Sequence, residues 1–348
     1  MSLRVLLDAT YAHRAPHSGT AVYIDRLTQA LSELPGVEVV AAVNGDRRPP
    51  AGGGAGSVRN AVDDLRWTQL ELPRRARAAR ADVIHHPLPA RAYGAAPAQV
   101  VTVHDLAFER LPQQFAPAYR RYAHVAHRAA ARQARAVICV SQATAQDVRT
   151  RWGVAAERII VARHGAGQAL TPLPRRQPPE HFLYVGDDQP RKNLPALLTA
   201  YDRYAGAAEH PLPLVLAGTA TAHAPGVTVV PHPGADRLSE LYAAAVALVH
   251  PSLHEGFGLT VLEAMGLGTP VITTSSDAAV EMCGDVARYV DPSTPQAMAD
   301  EMADEMAELA KDAELSADLG ERGRARAALF SWQLSARAHL EAYSLAAR

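Results

Sequence analysis

Short apolar runs alternate with helix-periodic stretches along this chain, and the pattern is played twice, on either side of a proline cluster. In the first half the apolar runs fall at residues 4–9, 37–43, 82–85, 100–104, 136–140 and 159–162. Between them Ile24, Leu27, Leu31 and Leu34 recur at three- and four-residue intervals, one face of a helix, and a long helix is expected over residues 117–135. In the second half the runs fall at 181–185, 212–217, 227–230, 247–250 and 270–274, with Leu238 and Leu241 facing inward on an intervening helix. Pro172, Pro174, Pro178 and Pro179 form a stiff, turn-rich link between the halves. Such alternation reads as parallel sheets covered on both faces, an α/β chain. Its 348 residues suffice for two domains, and two such sheets joined by a link make a cleft at their C-terminal strand ends, where ligands of these folds bind.

The stretch with the most chemistry runs from His250 to Met265 (HPSLHEGFGLTVLEAM). An apolar strand ends in Pro251-Ser252, turns through Gly256, Phe257 and Gly258, and enters a helix at Leu259 and Thr260. Such a turn presents free backbone N–H groups at a helix N-terminus, a site for a phosphate or a sugar hydroxyl. Glu255 precedes the turn and Glu263 follows eight residues later, a little over two helical turns. A carboxylate accepts two hydroxyl hydrogen bonds, which suits a ribose diol or a sugar. The plain alternative is an ordinary strand-turn-helix with two solvated carboxylates.

Taken together with four further stretches, this motif resembles the family 4 glycosyltransferases. The others are Val101–Leu106 (VTVHDL), Val137–Ser141 with Ala143-Thr144, Gly186 followed by Pro190-Arg191-Lys192-Asn193-Leu194, and Phe330-Ser331-Trp332. The resemblance implies a GT-B architecture: two facing Rossmann-like domains, 1–167 for the acceptor and 168–330 for the nucleotide-sugar donor, with a terminal helix at 331–348 crossing back to the first. It implies a retaining enzyme that moves a hexose from a nucleoside diphosphate sugar to an acceptor hydroxyl. Glu263 then holds the ribose, and Glu255 with the backbone of Gly256, Phe257, Gly258, Leu259 and Thr260 holds the sugar. Gly186 belongs to the phosphate loop, and His104 lies beside the reacting sugar carbon, where a neutral imidazole hydrogen-bonds or orients the sugar. Gly19, in the loop His17–Ala21, lets backbone approach the donor phosphate or the acceptor.

A departing diphosphate needs its charge stabilised by a metal or by cations. No Asp-x-Asp stands where a metal would serve, so Arg191, a planar fork, and Lys192, a mobile point charge, are expected to carry that role without metal or cofactor. GDP-mannose is favoured as donor over UDP- or dTDP-sugars by overall resemblance to mannosyl- and rhamnosyltransferases. The acceptor is a polysaccharide intermediate, a lipid-linked sugar or a secondary metabolite. The alternatives are a related sugar-nucleotide enzyme, an epimerase or a phosphorylase-like activity, and a nucleotide-sugar binding protein without catalysis. The chain departs from the family pattern at Asp187, at the single glycine of its first loop, and at His164-Gly165. An acid beside a diphosphate is tolerated only if its carboxylate turns away. Asp105 reads as a turn or cap residue as readily as a catalytic one.

Residues 1–167 carry a net charge of +9 and residues 168–348 a net charge of −10, which points either to an anionic partner of the first half or to mutual attraction of the halves. Arg74, Arg75, Arg77 and Arg80 fall on one helix and read as a solvated face; some family members seat such a patch on anionic lipid. No nucleic-acid motif is present. Cys139 and Cys283 have no metal or redox spacing, and no charged-then-apolar leader or apolar run of about 18 residues occurs, so a cytoplasmic protein is expected. Residues 47–57 read as a loop, and Met298, Met302 and Met306 as a packing stripe.

Overall fold

The computed structural model describes residues 2–16, 18–45, 55–94, 96–220, 222 and 224–348. The chain forms two compact units, Met1–Gly165 with Trp332–Arg348, and Ala166–Ser331.

The first unit is built on six strands: β1 (Leu3–Asp8), β2 (Val37–Ala42), β3 (Val83–His86), β4 (Ala98–Val103), β5 (Ala136–Cys139) and β6 (Ile159–Val161). They pair in the order β2-β1-β3-β4-β5-β6, every pair parallel. The chain moves one way from β1 to β2 and the other way from β3 onward, so the topological switch lies between β1 and β3. The helix Gly19–Ser32 covers one face with Tyr23, Ile24, Leu27 and Leu31, and its Ser18 cap accepts from Ala21 N–H at 3.1 Å. The long helix spans Pro117–Gln133 and starts on a proline, whose fixed φ suits a first turn.

The second unit repeats the plan with β7 (His181–Gly186), β8 (Leu214–Gly218), β9 (Val227–Pro231), β10 (Ala245–His250), β11 (Val271–Thr274) and β12 (Arg288–Val290), ordered β12-β11-β10-β7-β8-β9 and all parallel. Here the switch lies between β7 and β10. Met298, Met302 and Met306 are fully buried in the core shared with helix Leu194–Ala207, as a packing stripe should be.

Two sequence expectations need correction. Of the expected loop 47–57, residues 47–54 lie outside the described residues, but Ala55 opens a helix, Ala55–Arg66, that continues through a π-helical turn, Trp67–Glu71, into Leu72–Ala78. Strand β12 was not anticipated because its three residues, Arg-Tyr-Val, make no apolar run, unlike the equally short Ile-Ile-Val of β6.

The terminal helix Trp332–Ala347 belongs to the first unit, where Ala336, Ala342 and Tyr343 join the core. A buried polar chain fastens it. His339 Nδ1 lies 2.7 Å from Ser335 O, and a carbonyl only accepts, so that nitrogen carries the proton. With the ring neutral, Nε2 accepts from Tyr23 O–H at 2.7 Å. Tyr23 O then accepts from Thr102 Oγ1 at 2.8 Å, and Thr102 accepts from His85 Nε2–H at 2.8 Å. His85 Nδ1 is left to accept from Tyr343 O–H at 2.8 Å. One carbonyl thus fixes both tautomers and every hydroxyl in the chain. Burial pushes His339 down to about 4 and His85 well below its usual range, as neutral rings require.

Candidate active site

In open parallel sheets, ligands bind beyond the C-terminal strand ends at the switch point. In the second unit that point is flanked by the loops after β7 and β10, and those loops carry the candidate donor residues. They are stitched together: Leu253 N–H donates to Arg191 O at 2.8 Å. After β7 the chain makes a tight 3-10 turn, Pro190–Lys192, and Asn193 takes a left-handed conformation, φ 54°, to start helix Leu194–Ala207. After β10, Gly258 at φ 97° caps helix Leu259–Leu267 without a side-chain bond. The left-handed backbone is what calls for glycine at this position.

This scaffold gathers Arg191, Lys192 and Glu255 into one cluster. Lys192 Nζ donates to Glu255 Oε1 at 2.6 Å, Arg191 Nη1 to the same oxygen at 3.1 Å, and Ser252 Oγ to it at 2.7 Å. Their side chains are only 13–20% exposed, so the charges meet in a partly desolvated site. Burial alone would raise the Glu255 carboxyl; Lys192 and then Arg191 overcome it and hold the group well below the carboxylate range. All three donors converge on Oε1. Oε2 has no hydrogen-bond partner among the described residues and remains an acceptor for a hydroxyl. The sequence had given Glu255 and the cations separate tasks; the fold makes them one ion-paired unit.

Phe257 and Gly256 are buried in the turn, while Leu259 and Thr260 are half-buried at the helix mouth. Glu263, only 3% exposed, faces the segment that enters the unit. Its Oε1 accepts from Gln168 N–H at 2.8 Å and its Oε2 from Tyr242 O–H at 3.3 Å. A Cβ at Gly167 would sit 2.5 Å from Oε1, so Gly167 is what lets the carboxylate reach that backbone.

Gly186 ends β7 against Gly218, which ends β8. Gly218 went unremarked in the sequence, yet at φ 124° any Cβ there would lie 2.3 Å from Gly186 O. The same carbonyl accepts from Thr219 and Ala220 N–H, so the phosphate-loop strand end is held by its neighbour. The isolated "AGT" after a strand was the signal available. The Asp187 carboxylate is engaged within its own loop, accepting from Gln189 Nε2 at 2.6 Å and from Gln189 N–H at 3.3 Å.

In the first unit, His104 follows β4, half-buried, and its Nε2–H donates to Pro87 O at 3.0 Å in the loop after β3. That bond fixes the tautomer and leaves Nδ1 as the acceptor nitrogen. Burial pushes its pKa down, against Asp105, so the ring is neutral. Asp105 itself caps the next turn, its Oδ1 accepting from Ala107 N–H at 2.9 Å. The Tyr23 ring stands edge-on to His104 with centroids 4.9 Å apart, and His164, buried and stacked on Trp332, lies 5.8 Å away. His164 appeared in the sequence only as a departure from pattern; it is a wall of the His104 site. Gly19 opens its helix beside the Ser18 cap, with His17 outside the described residues. Arg74, Arg75, Arg77 and Arg80 are exposed; Arg75 stacks on Trp67 at 5.1 Å and Arg74 lies 3.6 Å from Glu71. Both cysteines are buried thiols, and among the described residues no helix is long and apolar enough to cross a membrane.

Residues 17–166 match the family described as Glycosyltransferase Family 4, and residues 171–326 that described as Glycosyl transferases group 1. O-antigen chain mannosyltransferase B of Escherichia coli is 26% identical over 276 residues, 71% of this chain and 70% of that protein. The MMP alpha-(1->4)-mannosyltransferase of Mycolicibacterium hassiacum is 30% identical over 220 residues, 58% of this chain and 52% of that protein, so the match spans about half of that relative. Among solved structures, sucrose-phosphate synthase from Thermosynechococcus elongatus matches with a TM-score of 0.74 at 19% identity over 98% of both chains. WaaG, a glycosyltransferase involved in lipopolysaccharide biosynthesis, matches with a TM-score of 0.69 at 16% identity, again over 98% of both. With both of its sheets of GT-B form and both of its halves matched in order, the chain belongs to glycosyltransferase family 4 and is a glycosyltransferase.

Proposed function

We propose that this glycosyltransferase moves a hexose, mannose from GDP-mannose in the first instance, from a nucleoside diphosphate sugar to an acceptor hydroxyl with retention and without a metal. The observation that carries this reading is the convergence of Arg191, Lys192 and Ser252 on one oxygen of Glu255, which leaves the other oxygen open beside a helix start that carries no side-chain cap bond. Two cations serve a diphosphate, an open carboxylate oxygen serves a sugar hydroxyl, and free N–H groups serve either. Glu263 lies in the same helix for the ribose hydroxyls, and its bonds to Gln168 and Tyr242 hold it in place.

The chemistry follows from those charges. The bond from the anomeric carbon to the diphosphate oxygen breaks, with Arg191 and Lys192 taking up the developing charge. The acceptor oxygen enters on the same face, bonds to that carbon, and passes its proton to the departing phosphate. His104, through Nδ1, accepts a sugar hydroxyl and orients the ring. The choice of mannose rests on the curated relatives, which are mannosyltransferases by name. A second donor class is favoured by a different observation: Anabaena HepE, solved in complex with UDP-glucose, matches with a TM-score of 0.69 at 16% identity. Acceptors of this reading are a polysaccharide intermediate, a lipid-linked sugar or a secondary metabolite.

Thermal shift and calorimetry with GDP-mannose, UDP-glucose and dTDP-sugars, followed by donor hydrolysis without acceptor, test it. Stabilisation and slow hydrolysis with GDP-mannose are expected. Preference for a UDP-sugar overturns the donor assignment, and tight binding with no turnover of any donor, acceptors included, overturns the catalytic one.

A further inference from the structure

The donor cluster contains a side chain that none of its bonds uses. His250, the last residue of β10, is 2% exposed, and neither ring nitrogen has a hydrogen bond of good geometry. A buried imidazole left so is uncommon, because each unpaired polar atom forgoes its bonds to water. The ring is aimed at the cluster: Nε2 lies 3.5 Å from Glu255 Oε1, just beyond bonding distance. The position is rigid, since His250 pairs with Thr273 of β11 and its carbonyl accepts from Thr273 Oγ1 at 3.1 Å.

The oxygen it faces is the crowded one. Oε1 already takes Lys192, Arg191 and Ser252. On the proposed reading, on which this inference rests, a bound diphosphate competes for both cations with more charge than one carboxylate carries. As Lys192 and Arg191 turn to it, Glu255 loses two of its three donors while it must stay ionised and in place to hold a sugar hydroxyl on Oε2. A carboxylate stripped of partners in a partly desolvated site is unstable there.

We propose that His250 is the positioning residue of the donor site, its Nε2–H closing onto Glu255 Oε1 when the diphosphate draws Lys192 and Arg191 away. The orphaned ring is then the reserve donor of an exchange: cations to the phosphates, imidazole to the carboxylate. Burial keeps the ring neutral, against the attraction of Glu255, so that it gives a hydrogen bond rather than a competing full charge. Because the diphosphate drives the exchange, losing the imidazole weakens nucleoside diphosphate binding a little, but the sugar, held on Oε2 of the carboxylate that His250 keeps in place, loses more, which separates His250 from the phosphate-binding residues.

Two variants test it. His250→Phe keeps the ring's shape and removes the donor; His250→Gln returns an N–H at about the Nε2 position. Affinity for the nucleoside diphosphate, kcat and KM for the nucleotide sugar, and melting temperature are measured for both. For His250→Phe, nucleoside diphosphate affinity lower by only a few-fold and a kcat/KM at least tenfold lower are expected, with the melting temperature kept; His250→Gln recovers most of both losses. Wild-type kcat/KM in His250→Phe overturns the assignment, as does an equal loss in both variants that follows melting temperature. A wild-type chain that neither binds nor turns over any nucleotide sugar overturns the glycosyltransferase reading of the donor site itself, an outcome visible before either variant is made.

Discussion

At the residue scale, Glu263 is held by Gln168 N–H and Tyr242 O–H and, on the proposed function, takes the ribose hydroxyls. Charged hydrogen bonds are worth roughly 1.5–3 kcal/mol each. Glu263→Ala is therefore expected to weaken nucleoside diphosphate binding about tenfold or more, measured by calorimetry, while Glu263→Gln, which still accepts from Gln168, keeps the melting temperature near wild type. Unchanged nucleotide affinity in Glu263→Ala removes it from the site. The Glu pair and the cations were legible in the sequence as types at a spacing. That Glu255 and Lys192 touch was not, because the contact joins loops 63 residues apart and depends on β10 lying beside β7. Gly218 was illegible for a related reason: its need for glycine comes from the carbonyl of Gly186 on the neighbouring strand. Asp105 was open to a cap reading in advance, since a cap is a local matter.

At the element scale, apolar runs marked eleven of the twelve strands within a few residues, since a strand buried on both faces shows as an unbroken apolar run. The short β12 and the helix at Ala55 carry no such signal. Nor did the sequence show what secures the terminal helix. Phe330-Ser331-Trp332 marked its start, but the chain of hydrogen bonds through His339, Tyr23, Thr102 and His85 to Tyr343 exists only once four elements meet: the terminal helix, helix Gly19–Ser32, β3 and β4. That chain makes stability depend on pH. His339 titrates near 4 when folded against an ordinary 6.5, so the unfolded chain binds the extra proton first. Its contribution is fully present above about pH 6.5 and is lost as pH falls towards 4, at about 1.4 kcal/mol per pH unit. Unfolding titrations of wild type and His339→Gln between pH 7 and pH 5 are expected to show the shallower pH dependence in the variant. Identical slopes would mean that the ring is charged in the fold or does not hold the helix.

At the scale of the whole molecule, the candidate residues divide between two units: His104 in the first, and Arg191, Lys192, Glu255 and Glu263 in the second. His104→Ala should accordingly lower turnover about a hundredfold, the lower end for one oriented hydrogen-bonding group, with nucleoside diphosphate affinity and melting temperature kept. A loss that tracks unfolding would reduce His104 to a packed strand-end residue. The central claim is that Arg191 and Lys192 supply the charge that a metal would otherwise bring to the diphosphate. The direct measurement is sugar transfer, or donor hydrolysis, by wild type and Lys192→Ala in excess EDTA. Retained wild-type activity and a turnover lower by several hundredfold in Lys192→Ala are predicted, the usual scale for removing one preorganised charge. Wild-type activity abolished by the chelator and restored by manganese would contradict the account.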